Sequence, residues 1–320
     1  MQHYGTDLSP EAASTVFKEL RQYLNPVFEV SEVLPSAQQI YDWLVRPAQS
    51  ELEHQGIKTL VFVLDGFLRR LPMAVLHDGK QFLIERYNIA LTPGLQLLES
   101  GSASEASLLP LFPTQFRVLV GGVAQARQGF PALPGVEKEI EDIAAITSAE
   151  VLLNQDFTFP SFQKRVEAVP FSVVHLATHG QFSSKAEDTF LLTWDGRLNV
   201  KDLDGLLRRE AQSAAPRLRD REPIELLVLS ACQTAKGDNR ATLGLAGVAV
   251  RSGARSTLAT LWSVQDKSTA QLMAQFYRAL TRPSVTKAEA LRYSQLSLLN
   301  SSQYKHPYYW APFVLVGNWQ

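Results

Sequence analysis

The sequence predicts an α/β fold: a mainly parallel sheet sandwiched by helices, with a smaller α/β subdomain on the N-terminal side. Three observations predict it. The runs "RVLVGG", "SVVHLAT", "ELLVLSAC" and "RSTLATLW" are continuous and apolar, as strands buried on both faces would be. Segments with helical spacing alternate with them, which implies parallel pairing through crossover helices. The composition, 45% apolar and 20% charged over 320 residues, can bury such a core.

Residues 1–50 read as a helical lead-in. Phe17, Leu20, Tyr23 and Leu24 recur at helical spacing, and Ile40, Trp43 and Leu44 follow after a break at Pro35. "IKTLVFVL" (57–64) reads as a strand buried on both faces. "LDGFLRRLPMAVL" turns away from it, and "QFLIERYNIAL" (81–91) alternates like a half-buried strand. Residues 100–115, rich in Ser, Pro and Gly, read as a linker between a subdomain over 51–114 and a larger unit over 115–320.

The larger unit is regular. The strand at 117–122 is followed by the helical "GVEKEIEDIAAI", then by strands at 172–178, 225–232 and 255–262. Helical segments "LGLAGVAVRS" and "KSTAQLMAQFYRAL" follow the last two strands. Thr286 and Glu289 form a capping box for one more helix, "KAEALRYSQLSLLN". "HPYYWAPF" reads as packing around the last strand, with His306 at a turn before Pro307.

Charge narrows the partners. With 31 Lys and Arg against 32 Asp and Glu, and no long basic block, neither nucleic acid nor an anionic membrane surface is expected as the main partner. No uncharged apolar run reaches the ~18 residues of a membrane span. The N-terminus lacks the basic and apolar regions of a secretory signal, so a cytoplasmic location is expected. A single cysteine forbids an internal disulfide and suits a reducing compartment. No cofactor is expected, because "VGGVAQARQG" follows a strand without either glycine pattern of a nucleotide loop.

That single cysteine, Cys232, lies at the end of a strand in "LVLSACQTAKGDNRATLG". His179 lies at another strand end, in "HLATHGQF". Chemistry in parallel sheets gathers at the carboxyl ends of strands. A lone cysteine is ordinarily a small buried hydrophobe. Here it stands past a strand end, before a polar stretch with Gly237, and a His-Gly strand end precedes it. A free thiol titrates near ~8.5, so a nearby imidazole would be needed to take its proton and return it to a leaving amine. Gly180 would leave its N–H unobstructed, and with the Cys232 N–H it could form an oxyanion hole. His175 and His179 also spell H-x-x-x-H, but on a strand four residues span ~13 Å, too far to share a metal. No metal site is expected, and His175 reads as a core histidine.

The blocks "VVHLATHG", "LLVLSACQT", "GARSTLATLWSVQD" and "HPYYWAPFVLVG" resemble the CHAT family, caspase-like cysteine peptidases of clan CD related to caspases and separases. "LDGFLRRLPMAVL" and "YNIALTPGLQLL" are similar to its front part, so the resemblance covers roughly residues 40–320. It implies a caspase–haemoglobinase fold, a pseudo-caspase-like subdomain over 51–114 and a His-Cys dyad. On matching positions His179 is the general base, Cys232 the nucleophile, and Gly180 and Cys232 the oxyanion donors. Such domains are often found behind tetratricopeptide repeats in bacteria, so the resemblance also implies a bacterial source, a protein substrate and a tetratricopeptide-repeat or other regulatory domain or partner.

Two departures bear on specificity. The caspase pattern Q-A-C-x-G appears as Ser230-Ala231-Cys232-Gln233-Thr234, so Ser230 replaces the Gln that holds an acidic P1 side chain. "LATLWSVQD" is similar to the L-W-D-V-T-D of separases, where an acid recognises a P1 arginine; Ser263 stands at the first acid and Asp266 at the second. Asp266 reads equally as that acid and as the N-cap of the following helix. The expected function is a cysteine endopeptidase cleaving after basic P1 residues. The alternatives are a catalytically silent scaffold that binds partner proteins and a hydrolase of non-peptide acyl substrates. The Arg-rich segment 207–223 reads as a solvated loop, and for a basic-specific peptidase also as a self-cleavage site.

Overall fold

Strict alternation along the central strands sends successive side chains to two opposite cores. The computed structural model describes residues 3–92, 94, 116–182, 188–199, 201–206, 224–230, 233–234 and 254–320. Helices α1 (Pro10–Tyr23) and α2 (Val30–Leu44) come first, then strands β1 (Thr59–Phe62), β2 (Asn88–Leu91) and β3 (Val118–Gly122). Helix α3 (Pro134–Thr147), strand β4 (Glu150–Leu153), helix α4 (Phe159–Ala168) and strand β5 (Val173–Ala177) follow. Three short strands come next: β6 (Gly180–Phe182), β7 (Phe190–Leu192) and β8 (Arg197–Asn199). Then come β9 (Leu226–Leu229), β10 (Gln233–Thr234), β11 (Ser256–Thr260), α5 (Asp266–Leu280), α6 (Lys287–Leu299) and β12 (Phe313–Gly317).

Eight strands form the main sheet in the order β1-β2-β12-β11-β9-β5-β3-β4. β1, β2 and β12 are mutually parallel, and so are β11, β9, β5, β3 and β4. The two blocks meet at the antiparallel pair β11–β12. A smaller sheet has the order β10-β6-β7-β8. This is the α/β class with a mainly parallel sheet that the sequence predicts. Val118, Val120, Val173, Ala177, Leu226 and Val228 join one core, with α1, α2, α3, α5 and α6. Leu119, Val174, Leu176, Leu227 and Leu229 join the other, against Phe162 and Val166 of α4. Two covered faces explain why these strands carry no polar alternation.

Several expectations need correction. The helix break is not at Pro35, which lies inside α2; the chain turns at 24–29 instead. Pro35 removes one intrahelical N–H bond, and packing of Val33, Ala37, Ile40 and Tyr41 into the core holds the helix through it. β1 is an edge strand, half-buried throughout, because a continuous apolar run does not by itself distinguish edge from centre. Residues 81–91 are not one strand. Leu83–Arg86 is a helical turn, with Glu85 accepting the Phe82 N–H at 2.6 Å, Phe82 makes a single bridge to His77, and Asn88–Leu91 forms the strand. β4 and α4 have no counterpart in the sequence reading. The proposed linker at 100–115, the segment "LGLAGVAVRS" and the loop 207–223 lie outside the described residues. Among the described residues, no helix is long and apolar enough to cross a membrane.

At the amino ends of β9 and β11 sits a buried cation. Lys287, the first residue of α6, is 1% exposed at its side chain and lies 3.7 Å from Glu225, which also pairs with Arg255 at 3.0 Å. The expected capping box is formed just before it: Thr286 accepts the Glu289 N–H at 3.1 Å, and Glu289 accepts the Thr286 N–H at 2.9 Å. Burial pushes the Lys287 ammonium down to about 8, against partial support from Glu225. The unfolded chain, with its lysine near ~10.4, therefore binds more protons between these values. Stability should be flat below about pH 8 on this account and rise between pH 8 and 10 as the charged form is relieved. The rise is on the order of 3 kcal/mol, and denaturant titrations should show Lys287→Met without it.

Candidate active site

The carboxyl ends of three neighbouring strands, β5, β9 and β11, open onto one rim. His179 follows β5, Ser230 follows β9 and Asp266 follows β11. The three line a cavity of about 130 Å³, together with Glu139 and Ser263. Pro131, Leu133, Val136 and Val264 give it apolar walls.

His179 is 5% exposed and tightly placed. Its Nε2 lies 2.8 Å from the Pro131 carbonyl oxygen. A carbonyl only accepts, so Nε2 carries the proton, and Nδ1 is the nitrogen able to take one. The Phe130 ring lies over the imidazole at 5.0 Å between centroids, tilted by 32°. Both contacts come from a hairpin turn in which Gln128 and Gly129 take positive φ, 51° and 83°. Glycine suits the second of these because it has no Cβ to clash. Arg127 fastens the hairpin by donating to the Trp194 carbonyl at 2.6 Å while lying 4.0 Å over that ring. The backbone carbonyl of His179 accepts from Leu192 N–H at 2.8 Å, and Gly180 opens β6 paired with Leu191.

Cys232 lies outside the described residues. The chain on either side of it is described. Ser230 donates its N–H to the Leu176 carbonyl at 3.2 Å, and Gln233 pairs with Gln181, two residues beyond His179. Ser230 is 2% exposed, and its hydroxyl has no hydrogen-bond partner among the described residues.

Asp266 is not the N-cap of α5. That position is Gln265, which makes no side-chain cap bond, and Asp266 is the first helical residue. The carboxylate instead faces the Gly135 N–H in the first turn of α3, so two helix N-termini converge on it. Burial pushes the Asp266 carboxyl above its ordinary value; the Gly135 N–H opposes this, Glu139 adds to it and His179 opposes it. The approach is close. A Cβ at Gly135 would come within 2.9 Å of the Asp266 carbonyl carbon and oxygen. Gly135→Ala should therefore force α3 and α5 apart, at a cost of about 1–3 kcal/mol in urea unfolding.

Three features of the rim escape the sequence reading. The hairpin before α3 supplies the wall and the carbonyl that orients His179; its trace in the sequence is the turn "RQGF". Glu139 sits in the buried stripe Val136, Glu139, Ile140, Ile143, where helical spacing calls for an apolar residue. Tyr308 holds the β11–α5 loop, donating to the Ser263 carbonyl at 3.0 Å and accepting from Trp262 at its own carbonyl at 3.2 Å. Trp310 is fully buried and His306 caps the turn Pro307–Trp310, so that segment packs as expected. His175 is a core histidine, fully buried between Glu139 and Tyr277.

The model of the CHAT domain matches residues 34–318. The chain belongs to the CHAT family. No curated protein matches it. Among solved structures, CHAT-fold similarity extends to the Arg-specific cysteine proteinase gingipain R, with a TM-score of 0.55 at 9% identity, over 97% of this chain and 76% of that one. The separase of the Saccharomyces cerevisiae separase–securin complex gives a TM-score of 0.52 at 14% identity. That alignment covers 98% of this chain and 21% of the separase, so the CHAT chain spans about a fifth of it. At these identities the likeness shows the fold, which is the caspase-like arrangement expected from the sequence.

Proposed function

We propose that this CHAT domain is a cysteine endopeptidase in which Cys232 is the nucleophile and His179 its general base. The observation that carries the reading is the imidazole itself. It is locked by the Pro131 carbonyl through Nε2, beside a cavity, two residues before Gln181, which pairs with Gln233. Gln233 is covalently next to Cys232.

His179 Nδ1 takes the thiol proton, and the thiolate forms a C–S bond to the scissile carbonyl carbon. The N–H groups of Gly180 and Cys232 receive the oxyanion. Collapse breaks the C–N bond as the imidazolium returns its proton to the leaving amine. Water then attacks the thioester, giving a proton to His179, and the acid product leaves as the thiol is restored. The P1 side chain enters the 130 Å³ cavity, where the Asp266 carboxylate favours a basic residue. Gingipain R is Arg-specific by name, which supports a basic preference by analogy of fold alone.

The test is a peptide-library digest with wild type and Cys232→Ala side by side. Cleavage after basic residues by wild type alone is expected. Cleavage at an equal rate by Cys232→Ala overturns the assignment.

A further inference from the structure

Glu139 is a charged residue in the apolar stripe of α3, only 2% exposed, and it lines the cavity without a role in the proposed chemistry. Its orientation is fixed from below. Oε1 is hydrogen-bonded to His175 Nε2 at 2.9 Å, and His175 Nδ1 is hydrogen-bonded to the Tyr277 hydroxyl at 3.0 Å. A phenol donates, a neutral imidazole donates once and accepts once, and a carboxylate accepts. Tyr277, His175 and Glu139 thus form one continuous hydrogen-bonded chain in which every ring nitrogen has a partner. This network fixes the Glu139 carboxyl group at the wall of the cavity.

Asp266 of α5 lines the same cavity, one helical turn from Glu139 where α5 packs on α3, and no Lys or Arg lines it among the described residues. The Glu139 charge is felt at Asp266, whose carboxyl it pushes upward. The Ser230 hydroxyl, buried and without a partner among the described residues, adds an oxygen in search of a donor. The cavity therefore offers oxygen acceptors from α3, α5 and the end of β9 on apolar walls. An ammonium is a compact point charge on a flexible stem. A guanidinium is planar, with five N–H donors spread in a fork, and can address two carboxylates and a hydroxyl at once.

We propose that Glu139 is a specificity-determining residue that makes the pocket select arginine over lysine, with His175 and Tyr277 as its positioning pair. This rests on the reading of the cavity as the P1 pocket.

Two measurements test it separately from the peptidase reading. The first is kcat and KM for peptides identical except for Arg or Lys at P1, with wild type, Glu139→Gln and Glu139→Asp. Wild type should favour Arg by about tenfold or more, and both variants should lose most of that ratio, chiefly through KM. The glutamine carbonyl can still accept from His175, which keeps the network, and the shorter aspartate provides a second variant if the first does not fold. The second measurement is calorimetric binding of the same two peptides to Cys232→Ala protein, with and without Glu139→Gln. Arg-selective binding that Glu139→Gln weakens supports the pocket assignment even if no variant turns over. An unchanged Arg-to-Lys ratio in a folded Glu139→Gln enzyme overturns the inference and leaves the peptidase reading standing. Equal binding of the two peptides to Cys232→Ala protein overturns it as well.

Discussion

Peptide turnover by His179→Ala should fall about 10²–10⁴-fold, the usual contribution of a positioned acid–base group. The side chain is buried against Phe130 and bonded to Pro131, so removing it also leaves a small void. Two variants separate the roles. His179→Gln retains an amide that can donate to the Pro131 carbonyl, but it cannot take a proton near neutral pH. It should recover much of the melting temperature lost by His179→Ala while turnover stays low. Recovery of turnover together with stability would mean that the imidazole matters for packing alone.

The second large effect is on substrate choice. Asp266→Asn should reduce the ratio of cleavage after Arg to cleavage after Leu by roughly ten- to a hundredfold, since a hydrogen bond to a charged group is worth ~1.5–3 kcal/mol. Because Gln265 occupies the cap position, the substitution removes no cap bond from α5. Asparagine also keeps an oxygen able to accept the Gly135 N–H. Because burial outweighs the helix-terminus support and holds the carboxyl above its ordinary value, removing the charge should leave stability unchanged or raise it slightly, an effect visible in unfolding but not in the Arg-to-Leu ratio. Peptides with Arg, Leu and Asp at P1 provide the measurement. A ratio that Asp266→Asn leaves unchanged assigns the residue to the helix terminus alone.

Much of this architecture was legible in the sequence for a simple reason. β3, β5, β9 and β11 are buried on both faces, and runs dominated by Val, Leu and Ala, with only small or hydrogen-bonded polar side chains among them, satisfy that environment. The strand ends were legible too, because His179 and Asp266 each stand where an apolar run meets polar residues. The same rule fails at the edges. β1 carries a central-strand pattern at the rim of the sheet, and β4, with Val151 exposed, carries a pattern too short to read. Pro35 misled because local propensity predicts a break that four buried neighbours override. The wall of the site was hidden for a different reason. Pro131 acts through its backbone carbonyl, which no residue type announces, and Glu139 meets Asp266 only once α3 has packed on α5.

The most direct test of the account is the rate at which an electrophilic peptide ending in arginine modifies the protein, followed by intact mass in wild type and His179→Ala. Cys232 is the only cysteine in the chain, so a single thiol adduct identifies its own site. One adduct on Cys232 is expected in wild type, formed about a hundredfold or more faster than in His179→Ala. Equal rates in the two proteins, or an adduct on any other residue, would contradict it.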